Sequence, residues 1–109
     1  MAEDVIFPSS ELLSAVKLYL NITWDDNRTN SKVIEWLRQG KYYIDKKNGE
    51  PADYDIPGSP RTLLMEYARY ARDGALDVFE NNYRAEILSM QLGRLSNDES
   101  MESPEPPSA

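Results

Sequence analysis

The fold is decided by residues 59–95, which read SPRTLLMEYARYARDGALDVFENNYRAEILSMQLGRL. Apolar residues recur there at steps of four and three, which is the spacing of one face of a helix packed against a core. This stripe consists of Leu64, Ala68, Ala71, Ala75 and Val78, and it is widened by Leu63, Tyr67, Tyr70 and Phe79. Gly74 lies within the stripe, and we expect it to mark a bend or a tight crossing with a neighbouring backbone.

The same stretch contains signals for where helices begin and end. Ser59 is a suitable N-cap, because its hydroxyl can accept a hydrogen bond from a free amide of the first turn, and Pro60 suits the first helical position. The asparagine pair at 81–82 interrupts the pattern, since asparagine side chains compete for backbone hydrogen bonds. We therefore expect two consecutive helices at about 60–80 and 82–95, or one long bent helix.

A first helix is predicted nearer the N-terminus, from the serine pair at 9–10 to about Asn21. A serine suits its N-cap, and Glu11 places a carboxylate in the first turn, where the helix dipole favours it. Its predicted buried face consists of Leu12, Leu13, Val16 and Leu20.

A second helix is predicted to follow a polar cluster. Asp26, Thr29 and Asn30 are each suitable N-caps, and the sequence does not choose among them. Its apolar stripe consists of Val33, Leu37, Gly40 and Ile44. Glycine inside a helix costs about 1 kcal/mol relative to alanine, so we expect a neighbouring helix to pass close to Gly40. Gly49 provides the left-handed residue that commonly ends a helix.

The remaining segments have irregular compositions. Residues 50–58 read EPADYDIPG and predict a loop that Tyr54 and Ile56 hold against the body. Residues 96–109 contain four acidic residues, three prolines and no basic residue, so we expect a disordered acidic tail. Residues 1–95 are expected to form one all-α domain, a small bundle of about four helices.

The composition limits the function. The 109 residues carry a net charge of −7, which argues against a protein that binds nucleic acid by neutralising phosphates. The chain has no cysteine, which excludes thiolate chemistry, and no histidine, which is the commonest general base and the commonest metal ligand. We therefore expect no enzyme activity and no cofactor. No stretch has the apolar length of a signal peptide or a membrane span, so a cytosolic place of synthesis is expected.

Several aspartates stand close together and raise the question of a metal site. Asp25 and Asp26 with Asp45, or Asp53 with Asp55, are the candidate groups. Their spacing does not fit a calcium loop, because lysines follow Asp45 where oxygen ligands are needed. Helix capping and a solvated loop explain these residues, and no metal is expected.

Two interpretations fit Arg61, Arg69 and Arg72, which lie near one face of the predicted helix. A basic stripe of this kind would line a channel through which DNA passes. Glu66 and Asp73, however, stand three and four residues from Arg69 and predict ordinary ion pairs, which is the preferred interpretation. The aromatic residues are assigned to core and interface packing rather than to stacking on bases.

The helix predicted at 82–95 has more apolar surface than a terminal helix needs. Its apolar residues include Ile87, Leu88, Met90, Leu92 and Leu95. Either this helix closes the bundle, or part of its surface docks a partner, as amphipathic helices do in grooves.

Several short motifs in order resemble one protein family. They are the run YLNITWDD at 19–26, Gly40 followed by YID at 43–45, YARY at 67–70, and ALDVF at 75–79. Together they cover roughly residues 11–95, and they resemble the head–tail connector (adaptor) proteins of tailed bacteriophages. No single motif is specific; their order and the total length carry the resemblance.

The resemblance implies a structural role in the neck of a virion. Proteins of this family form a ring, usually dodecameric, beneath the portal, extend the DNA channel, and present a surface to the tail. The implied partners are other copies of the chain, the portal protein, and the next neck or tail-completion protein, with DNA only as passing cargo and no membrane. The implied location is the virion, after assembly in the host cytoplasm.

The resemblance also implies roles for particular residues. The C-terminal helix and tail would engage the portal through Ile87, Leu88, Met90, Leu92 and Leu95. The subunit interface or the DNA channel would include Arg61, Arg69, Arg72, Trp24 and Trp36. The alternative is a small helical cytosolic regulator that binds a phage or host partner, for example as an acidic mimic of DNA, and a third hypothesis is a DNA-packaging accessory.

Overall fold

Five α-helices and one 3₁₀ turn are present in the computed structural model, which describes residues 6–102 and the side chains of residues 6–93. The elements are α1 (Ser10–Tyr19), α2 (Asn27–Asn48), α3 (Ser59–Arg72), the 3₁₀ turn (Leu76–Val78), α4 (Phe79–Asn82) and α5 (Arg84–Glu102). No strand occurs between residues 6 and 102. The predicted all-α class is confirmed, and the number of helices exceeds the predicted four by one.

The caps of α1 and α2 follow from their sequences. The Ser9 hydroxyl accepts a hydrogen bond from the Leu12 amide at 3.1 Å. Asp26 is the cap of α2 among the three candidates, because its carboxylate accepts from the Thr29 amide at 2.8 Å. Gly49 ends α2 with a φ of 90°, as predicted.

The predicted helix at 60–80 is wrong in its second half. Helix α3 ends at Arg72, because Gly74 adopts a φ of 70°, a left-handed conformation that glycine enters without steric cost. A Cβ on Gly74 would meet no atom within 4 Å, so the expected tight crossing does not exist and the bend is the reason for glycine. The N-cap position of α3 is held by Gly58 rather than Ser59, so Pro60 is the second helical residue rather than the predicted first.

The core draws buried side chains from every α-helix. Its members are Leu12, Val16, Leu20, Val33, Leu37, Ile44, Tyr54, Leu63, Leu64, Ala68, Phe79, Ile87 and Met90. Phe79 lies at the centre of an aromatic cluster with Tyr43, Tyr67, Tyr70 and Tyr83, at ring-centroid distances of 5.0–5.9 Å. The short elements after Gly74 therefore return the chain to the core.

Helices α2 and α3 are antiparallel and touch closely. A Cβ on Gly40 would lie 2.7 Å from Leu64 Cδ1 and 2.9 Å from Tyr67 Cδ1, so the predicted close approach at Gly40 is confirmed. At the other end of α3, the Arg72 guanidinium donates to the Leu20 carbonyl at 2.8 Å and ties α3 to the end of α1.

The irregular segments are partly fixed to the body. Tyr54 is buried and donates its hydroxyl to Asp45 Oδ1 at 2.7 Å, as expected for a residue that holds the loop, whereas Ile56 is exposed. Phe7 packs edge-on against Tyr54, at a centroid distance of 5.8 Å.

Helix α5 extends beyond its predicted end. It continues to Glu102 rather than ending near residue 95, and the rest of the predicted tail, residues 103–109, lies outside the described residues. Among the described helices, none combines the length and the apolar character needed to cross a membrane.

Candidate interaction surfaces

The apolar residues of α5 divide into a buried and an exposed set. Ile87 and Met90 are only 6% and 5% exposed and belong to the core, while Leu88 and Leu92 are 52% and 54% exposed. This division follows from helical spacing, because residues three or four positions apart share a face. The five residues predicted to bind a portal therefore do not form one surface: Ile87 and Met90 are not available for docking, and the side chain of Leu95 is not described. We call Leu88 and Leu92 the α5 patch.

A second exposed apolar surface lies where α1 gives way to α2. Leu18 is 79% exposed and Trp24 is 66% exposed. Between them, Asn21 and Ile22 turn the chain, since Asn21 has a φ of 60° and the Ile22 amide donates to the Lys17 carbonyl. We call Leu18 and Trp24 the α1-end patch. Trp36, in contrast, is partly buried against the core.

These two patches lie at opposite ends of α2. Near its start, the Lys17 ammonium donates to Asn30 Oδ1 at 2.6 Å, which places the end of α1 there. Near its end, Gln91 Nε2 donates to the Lys47 carbonyl at 2.8 Å, which places the middle of α5 there. At 1.5 Å per residue, the segment from Asn30 to Lys47 spans about 25 Å. Two exposed apolar surfaces are thus held apart by one rigid helix.

The three arginines predicted to line an interface or channel are engaged within the chain. Arg61 donates to the Tyr54 carbonyl at 3.1 Å, and Arg72 donates to Asp73 at 3.0 Å as well as to α1. Arg69 pairs with Glu66 at 2.5 Å, as predicted, whereas Asp73 pairs with Arg72 instead of Arg69. These contacts support the ion-pair interpretation over a free basic stripe.

Glu66 is a buried junction that the sequence reasoning treated only as a surface partner. Its carboxylate accepts hydrogen bonds from Tyr19 of α1, from Tyr83 at 2.8 Å, and from Arg69. Burial and the bond to Glu66 raise the pKa of Tyr83 to about 12. The signal was present, because Glu66 stands three residues after Leu63 and so shares its inward face.

A groove on α2 was not predicted at all. It has a volume of about 860 Å³ and is lined by Arg38, Gln39, Tyr42, Tyr43, Lys46, Lys47 and Tyr67. We call it the α2 groove. Residues 38, 42 and 46 recur at steps of four, which was the available signal. Lys46 Nζ lies 5.4 Å from the centre of the exposed Tyr42 ring.

One edge of the α2 groove is electrostatically satisfied. Lys47 Nζ lies 3.0 Å from Glu80 Oε2, and the Tyr43 hydroxyl donates to Glu80 Oε1 at 2.8 Å. The bonds from Lys47 and Tyr43 lower the pKa of Glu80. Burial, reinforced by Glu80, raises the pKa of Tyr43 above its usual range.

The aspartates considered as metal ligands have partners within the chain. Asp25 bonds Asn30 and Lys17, and hydrogen bonds from them lower its pKa; the capping bond from Thr29 likewise lowers the pKa of Asp26. The Asp45 carboxylate accepts from Lys41, Tyr54 and the Ala52 amide. Within the described part of the chain, no group of three acidic side chains is arranged to hold a metal ion.

Comparison with protein-family models, with curated proteins and with solved structures finds no match to this chain. Its function is therefore inferred from its surfaces and from the motif order of its sequence.

Proposed function

We propose that the chain is a head–tail connector subunit of a tailed bacteriophage. Copies of it form a ring under the portal, usually dodecameric in this family, which extends the DNA channel and joins the DNA-filled head to the tail or the next neck protein. The order of the motifs between residues 11 and 95 supports this proposal, and so does the small all-helical fold.

The observation that carries the proposal is the pair of exposed apolar patches at opposite ends of α2. A connector subunit must contact both its neighbours in the ring and the portal, so it needs different surfaces for them. In this proposal the α1-end patch contacts a neighbouring subunit and the α5 patch contacts the portal. Large apolar side chains exposed together support a surface that contacts a partner. The exposed residues are Leu18, Trp24, Leu88 and Leu92.

The charge of the chain is compatible with a channel that DNA passes through without binding. Its net charge is −7, and removing the four acids of residues 96–109 leaves −3, from −7 minus −4. An acidic wall does not release counterions from DNA, so it does not hold the DNA in place. DNA is therefore cargo in this proposal and not a bound ligand.

The proposal is tested with two double variants of the full-length chain. Leu18→Asp with Trp24→Asp disrupts the α1-end patch, and Leu88→Asp with Leu92→Asp disrupts the α5 patch. Each is expressed during infection by a phage that lacks the gene, and its incorporation into particles is measured by mass spectrometry. We expect both variants to fold, as judged by circular dichroism, and to fail to join heads to tails.

The matched control is Ile56→Asp, which charges an exposed apolar residue in a loop outside both patches. We expect this variant to support infection like wild type. Full activity of both patch variants would overturn the proposal, and a wild-type chain that never enters particles would favour a cytosolic regulator.

A further inference from the structure

The α2 groove is lined by three basic side chains, Arg38, Lys46 and Lys47, on an acidic protein. Within residues 6–93, neither Arg38 nor Lys46 forms an ion pair. Arg38 donates its Nε hydrogen to the Phe7 carbonyl, at 3.1 Å. The nearby Glu35 accepts a hydrogen bond from the Gln39 amide at 3.0 Å and keeps its negative charge. The groove is therefore suited to an acidic ligand.

The groove is also aromatic. Tyr42, Tyr43 and Tyr67 line it, and the Tyr42 side chain is 69% exposed although it carries a large apolar ring. Grooves lined with aromatic rings bind proline-rich segments, because the extended polyproline conformation is preformed and loses little entropy on docking. A ligand that combines carboxylates with prolines would satisfy both properties of the groove.

This chain contains such a segment in residues 98–109, which read DESMESPEPPSA. The segment contains four acidic residues, three prolines and no basic residue; Asp98, Glu99 and Glu102 lie in the last turns of α5, and the prolines follow that helix in the sequence. Its charge and its proline content therefore match the basic and the aromatic walls of the α2 groove. We propose that the acidic, proline-rich segment of one copy occupies the α2 groove of a neighbouring copy.

The direction of α5 favours a neighbour over the same copy. Tyr83, which precedes α5, donates to Glu66 of α3, near the point where α3 passes Gly40. Gln91, in the middle of α5, donates to the Lys47 carbonyl near the end of α2. Helix α5 therefore runs parallel to α2 and continues past its end. At 1.5 Å per residue, Glu102 lies about 16 Å beyond Gln91. Seven residues in an extended conformation, at about 3.1 Å each, could span about 22 Å at most, so residues 103–109 would need most of that length merely to return.

The inference rests on the proposed self-assembly, and it identifies a contact that the two apolar patches do not provide. In a ring, the projecting part of α5 would deliver its acidic segment to the next subunit. The contact between charged groups would be partly exposed, so it would weaken as salt screens the charges.

The test is a titration of isotope-labelled full-length protein with a synthetic peptide of residues 96–109, followed by NMR at low salt. We expect shifts centred on Arg38, Tyr42 and Lys46. A peptide with Asn and Gln in place of its four acids should bind about tenfold more weakly, the effect of two to three exposed ion pairs. Absence of these shifts up to millimolar peptide would overturn the inference.

Variants of the protein locate the contact. Arg38→Glu with Lys46→Glu should abolish binding of the acidic peptide and create binding of a peptide in which the four acids are lysines. Arg28→Glu with Lys32→Glu, on the same helix outside the groove, changes the net charge equally and should bind like wild type. Equal loss in both double variants would show a nonspecific charge effect and overturn the inference.

The spectrum without peptide separates a neighbouring copy from the same copy. At high dilution, the groove resonances of wild type should match those of a full-length variant with Asp98, Glu99, Glu102 and Glu105 neutralised. A difference would show that each segment folds back onto its own groove, which overturns the neighbour assignment.

The failure of this inference can be distinguished from the failure of the connector proposal. If peptide binding fails while particles still contain the protein at the head–tail junction, only this inference fails. If binding holds but particles lack the protein, only the connector proposal fails.

Discussion

Gly40 sets the distance between α2 and α3. Its missing side chain leaves room for Leu64, which is fully buried, and for the ring of Tyr67. Alanine would gain about 1 kcal/mol in helix propensity but would overpack the crossing, which costs about 1–3 kcal/mol. We expect Gly40→Ala to lower the free energy of unfolding by about 1 kcal/mol, measured by urea denaturation.

Gly93 is the matched control for this substitution. It lies in α5, and a Cβ there would meet no atom within 4 Å. Gly93→Ala should therefore leave stability unchanged or raise it by up to about 1 kcal/mol. A Gly40→Ala protein as stable as wild type would contradict the packing account of the crossing.

Single residues were predictable where local backbone chemistry decides their role. Gly49 acts at a helix end through its own geometry, and Gly40 is explained by the cost of glycine in a helix. Asp26 was one of three candidate caps among which the sequence did not choose. Glu66 was misassigned because charged residues are rarely buried unless paired, and its partners Tyr19 and Tyr83 are distant in sequence. Such long-range pairing is not visible in local sequence patterns.

At the scale of elements, the rotation of α5 decides which of its residues hold the fold and which can meet a partner. Ile87 is buried in the core and the next residue, Leu88, is exposed. We expect Ile87→Ala to cost about 2–5 kcal/mol of unfolding free energy, and Leu88→Ala to change it by less than about 0.5 kcal/mol. Chemical denaturation of both variants, monitored by circular dichroism, gives the comparison.

Equal effects of the two substitutions would show that α5 is rotated differently or buried in the free protein. The α5 patch would then not be an available surface. A cost confined to Ile87→Ala would leave Leu88 free for a partner, as the connector proposal requires.

The error in the helix predicted at 60–80 has a physical reason. The spacing of Leu64 and Ala68 continues through Ala75 and Val78, so periodicity alone favours one helix. Gly74 in fact turns the chain, and the 3₁₀ turn and α4 then bring Phe79 to the same core. The periodicity is also wrong about Val78, which is 41% exposed, whereas the next residue, Phe79, is buried.

The α2 groove and the separation of the two apolar patches were not predictable, because they depend on how the helices are placed. The four-residue repeat of Arg38, Tyr42 and Lys46 can be recognised only after the buried residues of α2 are known. The separation of the patches follows from long-range contacts such as that of Gln91 with Lys47. The sequence predicts which residues of α5 are apolar, but not which of them are buried in the core and which are exposed.

At the scale of the whole molecule, buried tyrosines make stability depend on alkaline pH. Burial raises the pKa of Tyr83 to about 12, and it raises the pKa of Tyr54, which is bonded to Asp45, and of Tyr43 above the usual value of 10.0. Between pH 10 and 12 the unfolded chain loses these protons while the folded chain keeps them, so the unfolding free energy falls as pH rises. Below pH 10 this contribution to stability is fully present.

Urea denaturation between pH 10 and 12 measures this loss, with tyrosinate absorbance as a second readout. The variant with Tyr54→Phe and Tyr83→Phe should lose stability less steeply over the same interval, since two of the responsible protons are absent. An identical pH dependence in the variant and the wild type would contradict the assignment to these tyrosines.

Within the described residues, the molecule is a helical body with exposed apolar residues near both ends of α2. In the connector proposal, the body forms the ring, the two apolar patches and the α2 groove form its contacts, and α5 reaches towards the portal. The most direct measurement is electron microscopy of particles from a phage that lacks this gene, alongside mass spectrometry of wild-type particles. The proposal predicts DNA-filled or leaking heads separated from finished tails, with the protein present in wild-type virions; normal tailed particles, and wild-type virions without the protein, would contradict it.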